Sequence, residues 1–196
     1  MSEIGPVTLE GGWVRLEPLQ PHHEPALLAI SRDEEIRRHL AATLDTPEDV
    51  HRWMEYAATA TARGVEAPFA TVERATDAVV GTTRFMDIQP AHRTAEIGGT
   101  WLDRSKWRTV LNSEAKYLML RYLFDEVGFR RAWFKTDALN ERSQRAIERL
   151  GAVREGVLRK HMIVHGGRSR DSVVYSIIDD EWPAIRAKME QNLYGD

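Results

Sequence analysis

The chain has 196 residues, of which 42% are hydrophobic, and a formal charge of −3. That suits one compact core and excludes a general electrostatic attraction to nucleic acid or anionic lipid. With no cysteine, disulfide frameworks, thiolate metal sites and cysteine nucleophiles are excluded as well.

In chain order, Gly11-Gly12 marks a turn, and Trp13 to Leu19 alternates like a strand. Residues 22–30 read as a helix and 33–39 as a short second one. Thr46-Pro47-Glu48-Asp49 is a helix start: Thr46 can cap, Pro47 suits the first turn, and the acids suit the positive dipole end. Val50, Trp53, Met54, Ala57 and Ala58 then fall on one apolar stripe. Residues 67–74, 78–88 and 94–103 are rich in strand formers. Ala115, Leu118, Met119, Tyr122 and Leu123 repeat the helical stripe, with Gly128 as terminator. Residues 131–137 read as a strand. Asn140 can cap a helix ending near Gly151, and residues 152–164 and 171–178 read as strands joined at Gly166-Gly167. Asp179 or Asp180 opens a last helix. A strand–helix–strand unit over 94–137 implies one parallel crossover in an otherwise antiparallel α/β sheet.

No tandem repeat or flexible linker divides the chain, so 1–196 reads as a single domain. No apolar run approaches the roughly 18 residues of a membrane span. Residues 1–6 lack the basic and apolar regions of a secretory leader, so a cytoplasmic protein is expected. Charge is uneven: residues 1–60 carry 5 basic and 11 acidic side chains, whereas residues 104–170 carry 16 and 7. A polyanionic ligand such as a nucleotide phosphate would favour the second region, although solvated faces give the same tally.

Three segments could carry chemistry. In Trp101 to Ala115 a strand runs through a loop into a helix. The unpaired first-turn amides, with Arg104, Lys106 and Arg108, would cradle an anion. In Asn140-Glu141-Arg142-Ser143 the asparagine serves equally as a plain N-cap. In Thr94 to Trp101, alternation puts Glu96, Gly98 and Thr100 on one face, where a carboxylate could collect a proton and glycines would admit a ligand. The histidines suggest no metal. His22-His23 is an exposed pair, His161 and His165 share a strand face, and neither pair has a carboxylate at a metal-binding spacing. The six tryptophans read as core or pocket walls.

Together these segments resemble the GCN5-related N-acetyltransferases (GNAT), in particular the branch that acetylates ribosomal-protein alanine and serine termini (RimJ/RimL-like). The resemblance is carried by Val14 to Leu19, Val80 to Phe85, Glu96-Ile97-Gly98, Trp101-Leu102-Asp103, Asn112 to Lys116, Lys135 to Ala138, Asn140 to Ser143, Arg149 to Ala152, Arg154 to Arg159 and Val174 to Ile177, in that order. It implies a GNAT fold: a central mixed, mostly antiparallel, splayed sheet of about seven strands flanked by helices. It also implies acetyl-CoA as cosubstrate and no metal. Direct acetyl transfer would go to a primary amine, either a protein or peptide N-terminus or a small molecule.

Under that resemblance the thioester lies between strands 94–103 and 131–137. Pantetheine pairs with backbone at Trp101, Leu102 and Asp103, and the pyrophosphate rests on amides of Arg108, Thr109, Val110, Leu111, Asn112 and Ser113. Asn140 contacts the pantetheine arm, Ser143 donates to the leaving sulfur, and Glu96 accepts the amine proton. An amide near Gly99 or Thr100 stabilises the oxyanion. The acceptor wall comes from residues 21–62 and 164–171, and a homodimer is expected, with neither nucleic acid nor membrane as partner. The family's phosphate loop reads Gln/Arg-x-x-Gly-x-Gly/Ala, whereas this chain has Trp107, Val110 and Asn112. Glycine is favoured where φ is positive, and a β-branched valine is not. The alternative reading is therefore a weakly active or inactive module that senses acyl-CoA.

Overall fold

The computed structural model describes residues 4–195. Residues 1–3, part of the segment from which the lack of a leader was expected, and residue 196 lie outside the described residues. The strands are β1 (Leu9–Glu10), β2 (Val14–Pro18), β3 (Ala67–Glu73), β4 (Ala78–Gln89), β5 (Thr94–Leu102), β6 (Arg131–Asp137), β7 (Val153–Val164) and β8 (Arg168–Ile178). They form one sheet in the order β1-β2-β3-β4-β5-β6-β8-β7. Every neighbouring pair is antiparallel except β5 and β6. The helices are α1 (Glu24–Ser31), α2 (Glu34–Arg37), α3 (Pro47–Ala62), α4 (Val110–Arg121), α5 (Glu141–Arg149) and α6 (Trp182–Tyr194).

The expected mixed sheet is present, with eight strands rather than about seven. The additional strand, β1, is two residues long, too short to show alternation. The turn that follows it is held by a buried carboxylate from α4. Glu114 Oε1 accepts the Gly12 amide (2.6 Å) and the Tyr194 hydroxyl (2.8 Å), and Oε2 accepts the amides of Trp13 (2.8 Å) and Val14 (2.7 Å). A Cβ on Gly11 would come within 2.3 Å of Glu114 Cδ, so the turn needs glycine there. Thr46 caps α3 as its sequence indicates, with Asp49 closing a reciprocal capping box. The last helix starts at Trp182 with Glu181 as N-cap, not at Asp179 or Asp180.

The sheet separates two apolar clusters. On one face α4, the π-helical turn that follows it (Tyr122–Glu126) and α6 bury Leu118, Met119, Leu123 and Met189 against Phe85, Ile97 and Tyr175. On the other, α1, α2 and α3 bury Leu27, Ile36, Val50 and Met54 with Trp101.

The feature that positions the site is where β5 and β6 part. They pair only at Thr94↔Arg131, Ala95↔Ala132 and Glu96↔Trp133. Beyond Glu96 the edge of β5 facing β6 is open. In the same stretch β5 bulges against β4: Gly98 pairs with Arg84 and Trp101 with Thr82, leaving two residues opposite one. Gly99 supplies the left-handed turn, with φ +57°.

The bulge corrects one expectation. Thr100 does not share a face with Glu96, because the extra residue reverses the alternation. Its hydroxyl lies on the α4 side, 2.8 Å from Thr83 Oγ1 and 2.5 Å from Lys116 Nζ.

Candidate active site

A cavity of about 710 Å³ opens along the parted strands, within the range of small-ligand and cofactor sites. Of the residues singled out from sequence, it gathers Glu96, Trp101, Leu102, Arg108, Thr109, Asn112, Ser113, Asn140 and Ser143. Asp103, Val110 and Leu111 are not among its walls. Asp103 is spent on the turn: its carboxylate accepts from the Ser105 amide and hydroxyl (2.8 Å each), and its own amide donates to Val80 O (2.8 Å). It therefore has no amide left for pantetheine. Val110 and Leu111 turn their side chains to the core.

The loop before α4 resolves the conformational objection to valine. The positive φ falls on Arg108 (+64°), and Val110 is the first residue of α4. No glycine is needed at 110, because its amide is presented in helical geometry. Thr109 is the N-cap but makes no side-chain cap; its hydroxyl donates to Lys106 O (2.7 Å). The first turn of this 12-residue helix thus keeps its amides for a ligand. Asn112 Oδ1 is buried at the same end without a partner. Lys106, expected to add charge, is instead drawn to Glu73 (2.7 Å). Arg142 takes part in its place, with its guanidinium 3.4 Å over the Trp107 ring, linking the start of α5 to this loop. The Trp107 indole N–H donates to Leu102 O (3.0 Å).

Asn140 Oδ1 accepts the Ser143 amide (3.0 Å), so the asparagine caps α5 and sets Ser143 on its first turn. Glu96 is 1% exposed. Burial pushes its carboxyl above the ordinary carboxylate range, and Lys135, whose Nζ donates to Oε2 at 2.8 Å, opposes the shift only in part. A carboxylate raised in this way is a better proton acceptor at neutral pH.

Three further residues of the cavity wall have no role assigned from sequence. Lys116 and Lys135 stand there only within stretches that carry the family resemblance. Arg84 showed no chemical signal within its strand, yet it is buried on β4, pairs with Glu66 (2.7 Å) and lies 4.5 Å over the Trp53 ring. Trp53, Trp101 and Trp107 do serve as cavity walls. Of the two segments expected to wall the acceptor, 21–62 lines the cavity through α2, α3 and the segment between them, whereas residues 164–171 contribute only Arg170 among the described lining residues.

The histidine expectation needs two corrections. His23 is buried, and Glu17, His22 and His23 converge with ligand atoms within 4.8 Å. However, His23 Nδ1 accepts the Gln20 amide (2.9 Å). The neutral ring therefore carries its proton on Nε2, which faces Glu17 (3.3 Å), and offers no lone pair to a metal. His165 opens a 3-10 turn and does not continue β7 with His161. No helix among the described residues is long and apolar enough to cross a membrane.

Residues 14–153 match the family model described as an acetyltransferase (GNAT) domain. A GCN5-related N-acetyltransferase from Brucella melitensis superposes with a TM-score of 0.89 at 32% identity, over 98% of this chain and 87% of that one. A structure from T. thermophilus ascribed to the acetyltransferases is 39% identical over 98% of this chain and all of its own, with a TM-score of 0.84. The uncharacterized N-acetyltransferase YoaA of Bacillus subtilis is 34% identical over 105 residues, 54% of this chain and 58% of that protein. The match thus spans little more than half of that curated relative.

Proposed function

The chain belongs to the GNAT acetyltransferase family, and on that premise we propose that it is an acetyl-CoA-dependent N-acetyltransferase acting directly on a primary amine. The observation that carries the reading is the conjunction in one cavity of an uncapped helix start and a buried carboxylate of raised pKa. The first suits phosphates and the second suits an ammonium proton.

Bound acetyl-CoA would supply an acyl group activated as a thioester. The amides at the start of α4, with Arg108 and Arg142, would hold its phosphates. Glu96 takes the proton that an amine of pKa near 8–10 carries at neutral pH. The open edge of β5 at the Gly99 bulge offers main-chain N–H to the carbonyl oxygen as it gains charge. Ser143, at the first turn of α5, would hydrogen-bond the departing sulfur and pass to it the second proton that the nitrogen sheds. Together these groups align two reactants and take up the protons released, which is where direct transfer gains most. We place the chain in the RimJ/RimL-like branch on its motifs, and propose that it works as a homodimer.

Titration with acetyl-CoA by calorimetry, followed by thiol release across a panel of amines, tests the reading. Glu96→Gln is expected to lower turnover by about 10²–10⁴-fold with cofactor affinity unchanged. Binding with no thiol release from any amine would favour the acyl-CoA sensor instead, the reading that the departures at Trp107, Val110 and Asn112 first suggested.

A further inference from the structure

Arg84 is the least expected group in the cavity wall. Its side chain is 4% exposed, and Nη1 donates to Glu66 Oε2 at 2.7 Å. Glu66 is also held by the Tyr56 hydroxyl (2.9 Å), so this end of the guanidinium is fixed. Trp53 packs on its face. The other two nitrogens, Nε and Nη2, are buried with no hydrogen-bond partner. They lie on the same edge of the planar group and form the fork that matches a carboxylate in two parallel hydrogen bonds. Leaving buried donors unmet is costly, and a native fold keeps such donors where something else supplies the acceptor.

Glu96 does not fill the fork: its Oε2 is held by Lys135, and neither Nε nor Nη2 of Arg84 bonds to it. Arg84 and Glu96 are diagonal neighbours across the β4–β5 pair, since Arg84 faces Gly98 and Met86 faces Glu96. Such diagonals place Cα atoms about 7–8 Å apart. The floor between them is bare backbone. A Cβ on Gly98 would sit 2.8 Å from Glu96 Oε1, and one on Gly99 would sit 2.9 Å from Arg84 Nε.

We propose that the acceptor is a free amino acid, whose carboxylate docks on the Nε–Nη2 edge of Arg84 while its amine faces Glu96. The inference rests on the acetyltransferase reading for the chemistry. The C–N bond forms as the thioester C–S bond breaks; one proton of the ammonium passes to Glu96, and the second, shed by the nitrogen as the amide forms, replaces the one that the Ser143 hydroxyl hands to the departing thiolate. The carboxylate contact stands on the geometry alone. A single compact molecule satisfies both ends because its amine and carboxylate are one carbon apart. The apolar walls from Ile36, Leu40 and Met86 leave room for its side chain.

The test uses coenzyme A-loaded protein, the amino acids leucine, phenylalanine and methionine, and their decarboxylated amines. Calorimetry reads binding, and free thiol reads turnover with acetyl-CoA. At least one amino acid is expected to exceed its decarboxylated partner by about 10²-fold or more in kcat/KM and to bind measurably. Arg84→Lys keeps a cation for Glu66 but loses the fork. It should bring that ratio close to one while coenzyme A affinity stays the same. Arg84→Gln combined with Glu66→Gln repeats the test without leaving a charge unpaired. Turnover of amines that ignores the carboxylate would overturn the inference and leave the transferase reading standing. Carboxylate binding that Arg84→Lys abolishes, with no turnover of any amine, would do the reverse. Neither binding nor turnover would sink both.

Discussion

Lys116 offers a measurement that depends on no substrate. It is buried on α4, where its amine bonds to the hydroxyls of Thr83 (2.8 Å) and Thr100 (2.5 Å). With no neighbouring charge to offset it, burial pushes its pKa from 10.5 down to about 7. Each unit of such a shift is worth about 1.4 kcal/mol, so the charged form is penalised by roughly 5 kcal/mol, comparable with the whole stability of many domains. In the unfolded chain Lys116 keeps its proton up to about pH 10.4, whereas in the folded chain it gives the proton up above about 7. Between those values the unfolded state binds more protons, so stability rises with pH, by at most about 1.4 kcal/mol per unit. Lys116→Met keeps the volume and removes the titration, and the Thr83–Thr100 hydrogen bond (2.8 Å) remains. Urea unfolding of both proteins from pH 7 to 9.5 should give the wild type the steeper rise, by about 1 kcal/mol per unit, with the variant the more stable at pH 7. Parallel curves would refute the claim that the amine is desolvated behind the bulge.

Other expectations follow from the same contacts. Lys135 holds Glu96 below the pKa that burial alone would impose. Lys135→Met should therefore move the acid limb of kcat/KM to higher pH, and an unmoved limb would remove Glu96 as the titrating base. In Glu114→Gln the carbonyl oxygen keeps the amides of Trp13 and Val14, and the new NH2 takes the Oε1 position, where the Tyr194 hydroxyl can turn to accept from it but the Gly12 amide loses its acceptor. Losing that hydrogen bond to a charged acceptor should cost about 1.5–3 kcal/mol. Thermal unfolding would show this as a large fall in Tm, and a fall of only a degree or two would contradict it.

Local signals were legible wherever one stretch of chain decides its own structure. The Thr46 cap, the Asn140 cap and the Gly166-Gly167 turn each rest on a few adjacent residues and appear where the residues indicated. The α3 stripe holds at Val50, Met54 and Ala57 but leaves Ala58 exposed, and the α4 stripe runs past Arg121 into a π-helical turn over Tyr122–Glu126. The parallel crossover was readable because a strand, a helix and a strand follow one another. Glu96 was identifiable as a strand acid beside glycines, although the alternation that put Thr100 beside it failed. A bulge depends on two strands being in register, and one strand's sequence does not contain that.

The sequence by itself determined the order of elements, the mixed sheet and the segments that converge on the cavity, because periodicity, capping and turn chemistry act over short spans. Only the tertiary structure decided that the positive φ falls on Arg108 rather than Val110, that Lys106 goes to Glu73, and that Arg84 is left with an unmet fork beneath Trp53. Those outcomes depend on which side chains distant in sequence come within a few ångströms, and burial then sets what each charge costs.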